Sequence, residues 1–514
     1  MTKKCRWIVI LLSLVMLLGI VPMTEARAEE TGNMEMAQEI SGTGLITDIK
    51  GYYNTSKLFD GDEKTILDGG ENAYLTLSHE EGIGSVYLIF GIEHGAYTVT
   101  NNDTGASHTC GEQNFLHDFL DIEGFFGEAP KSITITFNES KLQINELRAF
   151  TSGQVPDSVQ RWDVPKENEM DLLLFSSHGD DEQLFFAGVL PYYGVYRDYE
   201  VLVVYLTNHR NYTTARVHEM LNGLWAVGVT NYPVFGTFPD FFVDNLKGAY
   251  SIFASKDITE EDITSFVVEN IRRYKPKVAV GHDPLGEYSH GQHMVYSDVL
   301  QKAVQQSMHE DYFPESAEKY GVWDVPKTYL HLYPENPIFM DWDQPLDCFG
   351  GMSPFLVSKQ LGFYECHVSQ VKDFSWYLSQ GQIAAEFKKY NPCEYGLFRS
   401  TVGADVQKND FFENVLSYGE ERILQAAEEA ERQEAERIAQ EEARKKAEEE
   451  QARKLEQEQK IQQELQQAEE RKALEAAQRR KTGIVIGCGA VAVIVVLVLA
   501  ILLKLKKQRR NCRY

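Results

Sequence analysis

Asp171-Leu-Leu-Leu-Phe-Ser-Ser-His-Gly-Asp-Asp-Glu182 is the stretch whose reading decides the fold. Its unbroken apolar run is what a strand covered on both faces requires, and the polar residues after it open a loop beyond the strand's carboxyl end. Outward from it, Glu182 to Leu190 reads as a helix, Glu200-Val-Leu-Val-Val-Tyr-Leu206 as a second apolar strand and Thr213 to Val227 as a helix. A helix over Glu260 to Tyr274 and a strand over Lys277-Val-Ala-Val-Gly281 follow. The alternation predicts an α/β domain over 163–417 with a Rossmann-like, mainly parallel sheet. In such sheets ligands bind beyond the carboxyl ends of the strands, so the chemistry is expected there.

Two loops are placed to converge at that edge. One is Ser177-His178-Gly179-Asp180-Asp181-Glu182, and the other runs from His282 through Tyr288-Ser289-His290-Gly291-Gln292-His293. A His and an Asp from the first loop with a His from the second would suit a divalent ion with an open position, and a further carboxylate could take a proton from water. Taken singly, an H-x-D-D is often only a solvated loop or helix cap. The expectation rests on both loops following strands of one sheet.

The segment Leu172 to Gly188, Leu206-Thr207, Arg216-x-x-Glu219 with Gly228, and His290-x-x-His293, in that order, resemble the LmbE-like (PIG-L type) metal-dependent N-deacetylases. The resemblance implies that His178, Asp181 and His293 bind a metal, Zn²⁺ with Fe²⁺ as an alternative. It makes Asp180 the general base, His290 the electrophilic or acid partner, and Tyr288 a further group polarising an amide carbonyl. It assigns Arg216 to substrate or loop anchoring, with a structural ion pair as the plain alternative. His367, in a His-x-Ser-Gln run, is a candidate for lining the substrate cleft. Glu182 orients a ligand or favours the first turn of its helix. Gly179 replaces the family's Pro, and Gly291-Gln292 its common Pro-Asp, which leaves the expected ligands and base in place but loosens inference about the substrate.

Before this domain, residues 45–150 alternate β-rich runs such as Ser132-Ile-Thr-Ile-Thr-Phe137 with Gly, Asn and Asp turns, which predicts an all-β sandwich. Lys57-Leu-Phe-Asp-Gly-Asp-Glu-Lys-Thr65 and Gln143-Ile-Asn-Glu-Leu-Arg-Ala-Phe150 resemble the opening and closing strands of a discoidin-like (galactose-binding-like) domain. That resemblance implies glycan or lipid binding by loops at one end. A sandwich that only spaces its neighbour is the plain alternative.

Residues 418–481 contain no Pro and no Gly beyond Gly419, are dominated by Glu, Gln, Ala, Arg and Lys, and read as a charged helical stalk. Apolar residues fall too irregularly for a strong coiled coil, though weak self-association stays open. At the start, Lys3, Lys4 and Arg6 precede an apolar run and Ala26-Arg27-Ala28, the pattern of a signal peptide over 1–28. Thr482 to Leu503 is uncharged and apolar and 504–514 is basic, which predicts a membrane helix with a cytoplasmic tail: a single-pass type I protein on a single-membrane bacterial surface, ectodomain outside.

Fifty Lys and Arg against 77 Asp and Glu give a formal charge of −27, no field for nucleic acid. No C-x-x-C pair occurs among the seven Cys, which argues against a zinc knuckle. The expected function is therefore a surface-anchored, metal-dependent N-deacetylase acting on an N-acetylated sugar of a glycan. The competing expectations are a glycan-binding adhesin with an inactive α/β domain, or a metal hydrolase of another amide or ester.

Overall fold

The computed structural model describes residues 35–138, 141–207, 214–481 and 498–506. The signal sequence expected over 1–28 and the basic tail beyond residue 506 lie outside them. The chain divides into two units, Met1–Arg422 and Ile423–Tyr514.

The first unit begins with nine strands: β1 Ile46–Lys50, β2 Leu67–Gly69, β3 Tyr74–Ser78, β4 Ser85–Phe90, β5 Tyr97–Asn101, β6 Ser107–Cys110, β7 His117–Asp121, β8 Ser132–Phe137 and β9 Leu142–Phe150. They form two antiparallel sheets, β1-β3-β8-β5-β6 and β2-β9-β4-β7. Alternation sets which face is buried: in β8 Ile133, Ile135 and Phe137 point inward, in β3 Leu75 and Leu77. Val86, Leu88, Ile144 and Leu147 of the other sheet share that core.

Among the described residues seven further strands follow: β10 Leu172–Ser176, β11 Val201–Thr207, β12 Val234–Phe238, β13 Val278–Gly281, β14 Lys327–His331, β15 Pro337–Phe339 and β16 Glu394–Ser400. Their order is β12-β11-β10-β13-β14-β16-β15. β10 pairs in parallel with both β11 and β13, so the chain winds to one side of it and then to the other, and the order reverses there. The loops beyond β10 and β13 meet at this switch point, where α/β sheets place their ligands. β10, β11 and β13 are buried throughout, as their apolar runs demand.

The expectation of a mainly parallel, Rossmann-like sheet is corrected: the sheet is mixed, and β16 runs antiparallel to both β14 and β15. Apolar runs announced the parallel strands. Glu394-Tyr-Gly-Leu-Phe-Arg-Ser400 has charged residues near both ends and is only partly buried, so it carries no such signal.

The helical segment after β10 depends on one glycine. Gly188 has φ 99°, its N–H donates to Ser358 Oγ at 3.0 Å, and a Cβ there would lie 2.6 Å from Trp342 Cγ. Gly188→Ala should destabilise the domain by about 1–3 kcal/mol through backbone strain and the indole contact. Thermal unfolding would measure it, and an unchanged Tm would refute this reading.

A 64-residue helix, Tyr418–Lys481, closes the described chain apart from 498–506. Its start is a capping box: Glu420 N–H donates to Ser417 Oγ at 3.0 Å and Ser417 N–H to Glu420 Oε2 at 2.9 Å. Beyond Arg422 its side chains are almost all exposed and joined by i,i+4 pairs such as Lys445–Glu441 at 2.9 Å.

No helix among the described residues is long and apolar enough to cross a membrane. This overturns the expected single-pass anchor and the type I placement drawn from it. Of the expected span 482–503, residues 482–497 lie outside the described part; 498–506 are helical.

Candidate metal and acid–base centre

The two loops converge. His178 Nδ1 lies 3.1 Å from Asp181 Oδ2 and 3.1 Å from His293 Nε2, and the latter two atoms are 3.3 Å apart. Ligand atoms around a tetrahedral zinc at about 2.0–2.1 Å would stand roughly 3.3 Å from one another. All three residues are buried, and Asp181 Oδ1 has no hydrogen-bond partner among the described residues. The donor set therefore fits a divalent ion.

Local structure aims each donor. His178 N–H donates to Asp181 Oδ2 at 2.9 Å, closing the turn from β10 into the helix Asp181–Leu184. His178 Nε2 faces two acceptors, Gln292 Oε1 and Asp240 Oδ1, each at 3.4 Å, which turns the Nδ1 lone pair toward Asp181 and His293. His293 sits in the first turn of the helix Gly291–Gln306, and its Nδ1 meets Glu287 Oε2 at 2.7 Å, leaving Nε2 for an ion.

Glu287, fully buried, holds three imidazoles: His293, His282 Nδ1 at 2.8 Å and His331 Nδ1 at 2.6 Å. Burial opposes its ionisation, but His282 and the other two rings hold its carboxyl well below the usual range. His282 also accepts the Ser177 N–H at 2.8 Å and so ties the first loop to the second, while His331 Nε2 meets the Asn391 carbonyl at 2.9 Å. Sequence reasoning missed Glu287, His282 and Asp240 as site residues. Glu287 stands three residues before His290 in the second loop, but nothing in the sequence marks it as buried.

Asp180 lies beside the donors, 3% exposed, and receives Arg216 Nη2 on Oδ2 at 2.7 Å. Burial raises its pKa, Arg216 opposes the rise and Asp181 adds to it, so the group is more basic than an ordinary carboxylate. His290 caps the helix Gly291–Gln306, its Nδ1 accepting Gln292 N–H at 3.2 Å, which leaves the ring hydrogen on Nε2. Burial, with His293 and His178 beside it, pushes its pKa far down, so the ring is a neutral donor. Its centroid stands 4.6 Å from those of both His178 and His293. Tyr288, at φ 43°, places its ring 5.4 Å from both His290 and His293, and burial raises its pKa well above 10, so it keeps its hydrogen. Positive φ in a tyrosine is strained, and such strain concentrates at functional sites.

Other residues singled out in the sequence surround these groups. Arg216 engages Asp180 directly, and Glu219 one turn on accepts Ser369 N–H and Oγ–H at 3.0 and 2.6 Å, which fastens the His-x-Ser-Gln segment to the same helix. His367 is buried against Phe363 and Glu182, its Nε2 3.9 Å from Glu182 Oε1, with no hydrogen-bond partner on either ring nitrogen among the described residues. Glu182 is fully buried rather than an exposed cap, and burial with Asp180 and Asp181 nearby raises its pKa well above the usual range. Gln292 bridges the segment after β12, accepting Phe241 N–H and donating to Pro239 O, both at 2.9 Å. At Gly179 a Cβ would come 2.5 Å from Met220 Sδ, so the loop runs tight against the neighbouring helix.

A cleft of about 840 Å³ lies apart from this centre, between the β sheets and the helix Thr214–Ala226. Glu63, His117 and His218 cluster at that junction, with His117 Nε2 2.8 Å from His218 Nδ1. Tyr87 OH at 2.6 Å and Asn145 Nδ2 at 3.4 Å occupy the outer ring nitrogens, so a hydrogen-bond chain accounts for the two imidazoles, and Glu63 Oε2 accepts from Asn222 Nδ2 at 2.8 Å.

A model of the PIG-L family, GlcNAc-PI de-N-acetylase, matches residues 173–304, the segment that carries both loops. A curated relative from Saccharopolyspora erythraea, 1D-myo-inositol 2-acetamido-2-deoxy-alpha-D-glucopyranoside deacetylase 2, is 32% identical over 93 residues, 18% of this chain and 32% of that protein. Deacetylase 1 of the same description from Frankia alni is 24% identical over 174 residues, 30% of this chain and 59% of that one. The chain thus spans about a third of the first of these relatives and about three fifths of the second. Among solved structures, the N,N′-diacetylchitobiose deacetylase from Pyrococcus horikoshii aligns at 12% identity and a TM-score of 0.29, covering 45% of this chain and 83% of that one. Sequence and family comparison together identify residues 173–304 as a segment similar to the PIG-L, LmbE-like de-N-acetylases.

Proposed function

We propose that the chain is a metal-dependent N-deacetylase that hydrolyses the acetamide of an N-acetylated sugar in a glycan or glycoconjugate. The observation that carries the reading is the trio His178 Nδ1, Asp181 Oδ2 and His293 Nε2, 3.1–3.3 Å apart with Asp180 alongside. The family of the matched segment and the named substrates of the curated relatives support the acetamide and the sugar.

His178, Asp181 and His293 would hold Zn²⁺, with Fe²⁺ as an alternative for the same imidazole and carboxylate set. Once bound, the ion supplies Lewis acidity to the amide carbonyl and makes a water easier to deprotonate. Asp180, steadied through Oδ2 by Arg216, accepts a proton from the attacking water at Oδ1 and returns it to the departing amine. His290 donates from Nε2 to the carbonyl oxygen as negative charge develops there, and Tyr288 stands by as a second neutral donor. Water adds across the C–N bond; acetate and a free amine leave. Arg216 acts through Asp180 and its helix.

The test is acetate and amine release from N-acetylglucosamine conjugates by zinc-loaded protein, with loss on chelation and recovery on adding zinc. Zinc-loaded protein that releases no acetate from any N-acetyl sugar would refute it. Glu287→Gln removes a carboxylate oxygen from the imidazoles it orients, so zinc affinity should fall about 10–100-fold. Competition with a chromophoric chelator measures this, and unchanged affinity would exclude an orienting role for Glu287.

A further inference from the structure

Two aromatic side chains at the mouth of this centre are exposed where the rest of the aromatic cluster is not. Phe242 is 63% exposed and Trp376 43%, although each belongs to a continuous set of rings reaching the candidate metal donors. Phe242 lies edge-on to His290 at 5.1 Å and parallel to Tyr288, 5° between planes and 6.3 Å between centroids. Trp376 meets Tyr288 at 6.0 Å and 69°, and is backed by Tyr377 and Tyr390. The two rings therefore flank Tyr288, while Tyr288 itself reaches back to His293. Large apolar faces left in water at the rim of a polar, buried centre mark a ligand surface, and aromatic rings suit ligands that are apolar on one side and wet on the other. A pyranose ring is such a ligand: its C–H face is apolar and its hydroxyls circle the edge.

We infer that Phe242 and Trp376 form subsites for sugar rings next to the one whose acetamide is cleaved, so that the substrate is an oligosaccharide or polysaccharide chain rather than a single N-acetyl sugar. This rests on the proposed deacetylase reading for the position of the reacting ring, and it adds the substrate class. The packing behind each ring holds its face in place before ligand arrives, so little ordering is required on binding. Both platforms lie on segments outside the two loops that carry the proposed metal donors: Phe242 after β12, and Trp376 in the helix Ser375–Leu378. Substrate length can thus be read independently of the chemistry.

Binding and turnover are to be measured separately, with N-acetylglucosamine and N,N′,N″-triacetylchitotriose as probes. In the full chain, titration calorimetry with Asp180→Asn should show the trisaccharide binding at least tenfold more tightly than the monosaccharide. Adding Phe242→Ala or Trp376→Ala should cut that preference about tenfold, and both together should nearly abolish it. Phe242→Tyr and Trp376→Phe, which keep a ring, should restore most of it. No preference for the trisaccharide, no trisaccharide binding, or equal losses for both sugars would overturn the subsites. If the ring-dependent preference holds while zinc-loaded protein releases no acetate, the subsites stand and the deacetylase reading falls. Acetate release without ring dependence overturns the subsites and leaves the deacetylase reading in place.

Discussion

Asp180→Asn is expected to keep its zinc and lose about 10²–10⁴ in kcat. A positioned general base contributes on that order, and the substitution alters none of the three proposed ligands. Asn cannot accept a proton at neutral pH, so water would attack without assistance. The change also leaves the Arg216 guanidinium, bonded to Asp180 Oδ2 at 2.7 Å, facing a neutral amide, and Arg216 is only partly exposed. Some loss of stability, about 1–3 kcal/mol, should accompany the kinetic effect, since removing one partner of a largely buried pair leaves the other uncompensated. Zinc content by elemental analysis, Tm and kcat measured on one preparation separate these effects. Near-normal turnover with full zinc would remove Asp180 from the mechanism.

His293→Ala should show the opposite pattern, losing the metal and with it the activity. Three protein donors share a structural-scale binding free energy of about 10–16 kcal/mol, so deleting one should weaken zinc on the order of 10³-fold. The damage would reach further inward, because Glu287 Oε2 loses one of the two rings it serves and is left with His282. Full zinc occupancy in His293→Ala at micromolar metal would contradict the proposed ligand set. The two substitutions lie on different segments and affect different observables, so together they test the base and the ligands without relying on one readout.

The two loops were legible because apolar runs locate buried parallel strands and because ligands gather beyond the ends of such strands. β10, β11 and β13 announced themselves in that way, and their pairing brings His178 to His293. β16 did not: with Glu394 and Arg399 near its ends it has the composition of many edges and turns, and only its partners determine its direction. Glu287 was hidden for a related reason. A glutamate in a loop is ordinarily solvated, and its burial follows from His282 on β13's loop and His331 at the end of β14 closing over it. Arg216 was legible as a functional or structural cation, but its partner, Asp180, emerges only when the helix Thr214–Ala226 packs beside the first loop. The apolar stretch near the carboxyl end shows the limit of composition, since its hydropathy and basic flank predict a span that the described helices do not supply.

Glu287 gathers histidines from three separate parts of the chain by contacts that involve protein alone. His293, one of the three proposed donors, is therefore aimed by protein contacts alone, and stripping the proposed ion should leave a protein that refills on demand instead of one that must be remade.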